Sequence, residues 1–155
     1  MAGIIPIFIP HRGCPQDCIF CNQRAIAQQS VPTPRAVGRV LDQGRTVAWD
    51  APAVAFYGGS FTAIPEGDQR AYLAVVAELY RRGRISGIRL STRPDAMGAP
   101  QVSLLRDYPV DTVELGAQSM DDRVLAAARR GHTAAHTVSA AKAVRAAGYR
   151  LVLQM

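Results

Sequence analysis

Apolar and polar positions alternate along this chain in two rhythms. Short apolar runs at residues 4–10, 53–57, 87–91, 112–116 and 150–155 have the length of strands. Between them lie stretches whose apolar residues recur every three or four positions, the spacing of a helix with one buried face. One such stretch opens at Thr33-Pro34, a capping residue followed by a proline suited to the first helical position. It carries Val37, Val40, Leu41 and Val47, with Gly38 and Gly44 weakening it. Residues 68–82 place Tyr72, Val75, Val76, Leu79 and Tyr80 at helical spacing, and Gly83 stops them. Shorter helices are expected at 101–107, 121–129 and 134–147, with Gly131 between the last two and Gly148 closing the last.

The resulting order, βαβαβαβαβ, implies parallel strands joined by crossovers. A doubly wound sheet and a TIM-type barrel both satisfy it. In either, chemistry collects at the carboxyl ends of the strands. Those ends carry a loop with all three cysteines, then Gly58-Gly59-Ser60, Ser91-Thr92-Arg93 and Gln118-Ser119. No repeat beyond the βα alternation interrupts a single domain over residues 1–155.

Composition narrows the setting. Hydrophobic residues make up 48% of the 155 and charged ones 19%, too apolar for disorder. Three clustered cysteines argue for a reduced, cytoplasmic protein rather than a disulfide scaffold. The first apolar run is short, broken by Pro6 and Pro10 and lacks a basic leader, so neither a signal peptide nor a membrane span is expected. The formal net charge of +6 comes from arginines and the single Lys142. It suits a solvated basic surface and a nucleic-acid partner alike.

The cysteines change the picture most. Cys14, Cys18 and Cys21 follow a C-x3-C-x2-C spacing within Gly13-Cys14-Pro15-Gln16-Asp17-Cys18-Ile19-Phe20-Cys21. Thiolates favour zinc or iron–sulfur clusters. Three of them can hold three corners of a four-iron cube and leave the fourth iron open. The spacing differs from ferredoxin runs with four cysteines and from paired zinc-finger motifs. A Cys3His zinc site with His11 stays an alternative.

This loop after a first strand, with Phe20 before its last cysteine, resembles the radical S-adenosylmethionine (radical SAM) superfamily. The motifs IPHRGCPQDCIFCNQ, YGGSFT, STRPD, ELGAQS and RRGHT, in that order, resemble more closely its Elongator catalytic-subunit branch. The resemblance implies a 4Fe–4S cluster on Cys14, Cys18 and Cys21, S-adenosylmethionine chelated at the open iron, and a 5′-deoxyadenosyl radical formed by its reductive cleavage. It implies an electron donor such as a flavodoxin or ferredoxin and, from this branch, wobble-uridine modification in tRNA. It also implies cofactor contacts. Gly58, Gly59 and Ser60 would meet the methionyl amino group through backbone atoms. Phe8, Phe20, Ser91, Gln118, Arg130 and Gln154 would complete the shelf. Relatives often carry a glutamate where Ser91 aligns, a charge that serine does not supply. Arg93 suits either a carboxylate in the barrel mouth or its neighbour Asp95. Glu114, inside an apolar strand, needs a partner. His132 and His136 read as structural or exposed.

Elongator subunits also carry an acetyltransferase domain, for which these 155 residues have no counterpart. A barrel of this kind takes ~250 residues, or roughly 200 in small examples. The expected fold is therefore a partial (β/α) TIM-type barrel of about five βα units. It would be the N-terminal part of a longer core, its C-terminal portion missing and an apolar fifth-strand edge left open. Two other functions fit the residues: a zinc-stabilised nucleic-acid-binding module, and a non-catalytic fragment of a longer radical SAM enzyme.

Overall fold

The computed structural model describes residues 3–9, 14–15, 17–21, 31–43 and 51–155. Strand β1 spans Ile4–Phe8, β2 Ala53–Tyr57, β3 Gly87–Thr92, β4 Val110–Gly116 and β5 Arg150–Gln154. Helix α1 spans Pro34–Gln43, α2 Glu66–Arg81, α3 Ala99–Leu105, α4 Asp122–Ala127 and α5 Ala134–Ala146. Single 3-10 turns at Phe61–Ala63 and Pro94–Ala96 follow β2 and β3.

All five strands are parallel and lie in the order β1-β2-β3-β4-β5. This order decides between the two architectures that the sequence pattern allows. A doubly wound sheet reverses its strand order at a switch point, whereas here each connection advances one strand in the same direction. The sheet is an arc of a (β/α) barrel.

Side chains alternate across each strand. One face carries Val54, Phe56, Ile88, Leu90, Val113 and Leu115, buried against Tyr72, Leu73, Val76, Leu105 and Val144 of the helices. The register aligns Ser91 with Glu114 and Gly116 with Gln154 on the opposite face. Hydrophobic burial is thus assigned to the helical side, and the other side is left for polar side chains.

Local signals explain most boundaries, and some shift. Thr33 Oγ1 accepts the Ala36 N–H at 3.2 Å, capping α1 as expected. Val47 lies outside the described residues. Helix α2 begins right after Pro65 and buries Gln69, Tyr72, Leu73, Val76 and Leu79, whereas Tyr80 stays 45% exposed. Helix α3 starts two residues earlier than its periodicity suggests. Pro100 is compatible with its first turn, and the Gly98 N–H donates to Gln101 Oε1 at 3.1 Å. Helix α4 stops at Ala127 rather than at 129, because Arg129 turns left-handed at φ 54°. The Arg130 N–H reaches the Leu125 carbonyl and the Arg129 N–H reaches that of Ala126. That is a Schellman ending with arginine at the position glycine usually takes. Strand β5 pairs with β4, and Leu153 on it is 44% exposed.

Candidate functional site

A cleft of ≈ 290 Å³ lies at the carboxyl ends of the strands. Cys14, Gly58, Gly59, Ser91, Gln118, Arg130 and Gln154 line it together, although they are spread over the whole chain. Tyr57, Thr92, Arg93 and Gly116 complete the wall. Tyr57 and Gly116 lie in the motifs YGGSFT and ELGAQS but were not singled out from the sequence.

Gly58 supplies what its position requires. Its φ is +91°, and a Cβ there would stand 2.4 Å from Cε2 of the Phe8 ring. Phe8 therefore packs on the glycine turn beside the cleft rather than in its wall. Gly58→Ala is expected to cost about 1–3 kcal/mol through backbone strain and to displace the ring. A urea midpoint measures the first effect. Aromatic NMR shifts of Phe8 report the second.

Ser60 turns away from the cleft. It is fully buried, and its Oγ accepts the Arg93 N–H at 3.0 Å and lies 2.9 Å from Thr92 Oγ1. Thr92 bonds Thr62, which donates to the Ala96 carbonyl. A carbonyl only accepts, so every hydroxyl points one way: Ser60 to Thr92, Thr92 to Thr62, Thr62 to Ala96. Ser60 keeps only its backbone for a ligand. Ser91 Oγ, by contrast, is buried without a partner. An orphaned hydroxyl in a cleft wall fits a ligand that supplies the missing bond.

Arg93 settles between its two expected partners. Its Nε and Nη2 donate to Asp95 at 2.9 and 2.6 Å, a bidentate pair. Burial pushes the Asp95 carboxyl up, but the Arg93 bonds and charge outweigh it and hold the carboxyl below its usual range.

Glu114 is satisfied four times over. Its Oε1 accepts from Tyr57 Oη at 3.0 Å and from Arg89 Nε and Nη2 at 3.0 and 2.7 Å. Its Oε2 accepts from Gln154 Nε2 at 3.0 Å. The carboxylate thus holds two cleft side chains, Tyr57 and Gln154. Burial, and then the bond to Glu114, push the Tyr57 hydroxyl above its ordinary value. Arg89 was missed in the sequence. Its signal was a charge in an apolar strand, β3, which lies between β2 with Tyr57 and β4 with Glu114.

Gln118 sits at φ 66°, and its N–H donates to the Gln154 carbonyl at 2.8 Å, tying the end of β4 to β5. His132 is buried, with Nε2 3.1 Å from the Ala117 carbonyl. Burial lowers its pKa, the Ala117 bond raises it and the Arg130 charge lowers it, with a net fall. His132 is structural, as its sequence context suggests.

Cys14, Cys18 and Cys21 are free thiols, each half-buried. The Cys21 N–H donates to the Cys18 carbonyl at 2.9 Å and closes a turn. Burial pushes the Cys14 thiol up, Arg93 pulls it down, and Cys18 and Cys21 push it up again. The three sulfurs therefore share one electrostatic neighbourhood with two guanidinium groups, Arg93 and Arg130. This donor set fits an anionic iron–sulfur cluster, whose thiolates each bind a different iron. Among the described residues no three His, Cys, Asp or Glu side chains gather to hold a single metal ion. His11, the fourth ligand of the zinc alternative, lies outside the described residues. Phe20 is 55% exposed, and Arg130 lies 5.6 Å from its ring centroid. Among the described residues no helix is long and apolar enough to cross a membrane.

Comparison with known proteins agrees with this geometry. The profile of the Radical SAM superfamily matches residues 8–155. The tRNA uridine(34) acetyltransferase of Dehalococcoides mccartyi is 24% identical over 189 residues, covering 97% of this chain and 41% of the relative. The structure of Elp3 from the archaeon Methanocaldococcus infernus matches 99% of this chain and 38% of its own, with a TM-score of 0.63 and 18% identity. The cobalamin-dependent S-adenosylmethionine radical enzyme OxsB matches with a TM-score of 0.69 and 16% identity, over 98% of this chain and 23% of its own. Methylornithine synthase (PylB) gives 0.68 and 14%, over 98% and 44%. At these identities the structural likeness carries the fold, and the chain spans less than half the length of each of these proteins. The profile match over residues 8–155 joins the cysteine loop and the barrel arc in one assignment: the chain belongs to the radical SAM superfamily, a superfamily of enzymes.

Proposed function

We propose that this chain holds a 4Fe–4S cluster on Cys14, Cys18 and Cys21 and S-adenosylmethionine in the adjoining cleft. It would do so as the core of an enzyme that modifies a wobble uridine of tRNA. One observation carries the reading: Cys14 opens on the same cleft as Gly58, Gly59, Ser91, Gln118, Arg130 and Gln154. The bound cluster and cofactor would supply a 5′-deoxyadenosyl radical.

The chain's own residues have separable tasks. The backbone of Gly58 to Ser60, held open by the positive φ of Gly58, offers hydrogen bonds to the methionyl amino group. Arg130 and the unpaired Ser91 hydroxyl suit the carboxylate. Gln154, oriented by Glu114, presents a polar edge toward the adenosine end. Phe8 and Phe20 flank the site. The tRNA assignment is supported by the activity named for the Dehalococcoides relative and by the net charge of +6. A flavodoxin or ferredoxin would supply the electron.

Anaerobic reconstitution with iron and sulfide tests the proposal. The expected result is a brown protein with about four irons per chain that releases 5′-deoxyadenosine and methionine on reduction. A colourless protein holding one zinc, with salt-sensitive RNA binding and no cleavage, overturns it in favour of a nucleic-acid-binding module. Intact cluster uptake without cleavage would instead identify a non-catalytic fragment.

A further inference from the structure

The turn at 128–131 touches two regions that sequence keeps far apart. On one side it meets the cysteine loop. The Ile19 N–H donates to the Ala128 carbonyl at 3.3 Å, and Cys18 Sγ lies 3.7 Å from the Arg129 carbonyl. Arg130 Nη1 stands 3.5 Å from Cys18 Sγ, and its guanidinium lies over Phe20. On the other side the turn meets the end of β4. Arg130 Nη2 donates to the Gly116 carbonyl at 2.6 Å, and His132 Nε2 meets the next carbonyl, that of Ala117. One guanidinium therefore joins a cysteine to a strand end. Arg130 Nε is buried without a partner. Its fork is placed by Cys18 and Gly116, not by the number of bonds it can make. The backbone is also committed to this shape, since Arg129 and Gly131 are both left-handed, at φ 54° and 72°. A non-glycine residue in that region costs roughly 1–2 kcal/mol and persists only where its surroundings impose it.

We infer that the turn at 128–131 is the dock of the cysteine loop, with Arg130 as the positioning residue that pins Cys18 to the end of β4 and sets the charge beside that cluster corner. The inference rests on the cluster reading above and goes beyond any contact of Arg130 with S-adenosylmethionine. Hydrogen bonds to cluster sulfurs and nearby charge are among the terms that set a cluster's reduction potential. A guanidinium 3.5 Å from Cys18 Sγ favours the more negative, reduced state and raises that potential.

The test is made on the full chain without S-adenosylmethionine, so a role confined to the cofactor gives no signal. Hydrogen exchange at the Ile19 amide is read first, on metal-free protein. Arg130→Ala is expected to exchange roughly tenfold faster than wild type, the factor equal to about 1.4 kcal/mol, and Phe20→Leu should fall in between. Exchange within about twofold of wild type in both variants overturns the dock. Phe20 is half-exposed and outside the core, so its variant keeps the test decisive if Arg130→Ala fails to fold. Iron loss to a chelator and the reduction potential are read next, on reconstituted protein. Arg130→Ala should lose iron roughly tenfold faster and titrate at a more negative potential. Arg130→Lys keeps the charge but not the fork, so it should restore the potential and not the retention. An unchanged potential in Arg130→Ala overturns the electrostatic role. A wild-type chain that takes up no cluster refutes the functional reading instead, and the metal-free exchange still decides the dock.

Discussion

Replacing any one of Cys14, Cys18 or Cys21 by serine is expected to abolish the cluster and leave the fold intact. The two outcomes separate because of where these residues sit. They are half-buried on a loop, form no disulfide and contribute nothing to the apolar core. Stability by urea denaturation, compared on metal-free protein, should therefore move by no more than about 0.5 kcal/mol, as for surface substitutions generally. The metal site responds differently. Serine offers a harder oxygen that stays protonated near neutral pH, and soft iron–sulfur chemistry selects thiolate. Iron content after desalting should fall from about four per chain to below about one, and 5′-deoxyadenosine release to background. A serine variant at one position that kept a full cluster would remove that cysteine from the ligand set.

The second large effect is expected at Glu114. The side chain of this carboxylate is 6% exposed, against 25% for Arg89. In Glu114→Gln the oxygens become one acceptor and one donor, yet Tyr57, Arg89 and Gln154 all still donate. The Gln154 amide can flip to accept from the new N–H, but the Arg89 charge loses its counter-ion. Breaking a buried pair in this way costs about 3–5 kcal/mol, and solvent access at Arg89 places the expectation near the lower figure. Cofactor affinity should fall as well, since Tyr57 and Gln154 both line the cleft. Glu114→Leu combined with Arg89→Met removes both charges and should recover most of the lost stability. Urea midpoints of the single and double variants check this. A single variant as stable as wild type would mean that the network is not a structural hub.

The contrast between these two sites marks what was legible in the sequence. The cysteines are contiguous, and their spacing alone states a chemistry. The order of elements along the chain followed from alternating rhythms, because each βα unit carries its own hydrophobic period, but those rhythms left the spatial strand order open between two architectures. Cleft residues were legible where family motifs held them, as at Gly58, Gln118 and Arg130. The Glu114 network was not, since its partners are 57, 25 and 40 residues away and meet only through sheet register. Sequence also suggested Ser60 for the shelf without showing which way its hydroxyl faces. Helix ends erred where a backbone conformation rather than a residue type decides, as at left-handed Arg129, whose neighbouring Gly131 looked like the stop.

The row of hydroxyls from Ser60 to Ala96 has a further consequence for ligand binding. Because the Ala96 carbonyl fixes the sense of every bond in it, none of the three rotors has a second arrangement to sample. The entropy of ordering them is lost when the chain folds, not when a ligand arrives. The Thr92–Arg93 rim of the cleft is thus preorganised, and a bound molecule need not freeze it. An unsettled bond lies beside it on the same strand, where Ser91 Oγ still lacks a partner. The cleft thus pairs a fixed rim at Thr92–Arg93 with one hydroxyl, that of Ser91, left for a ligand to satisfy.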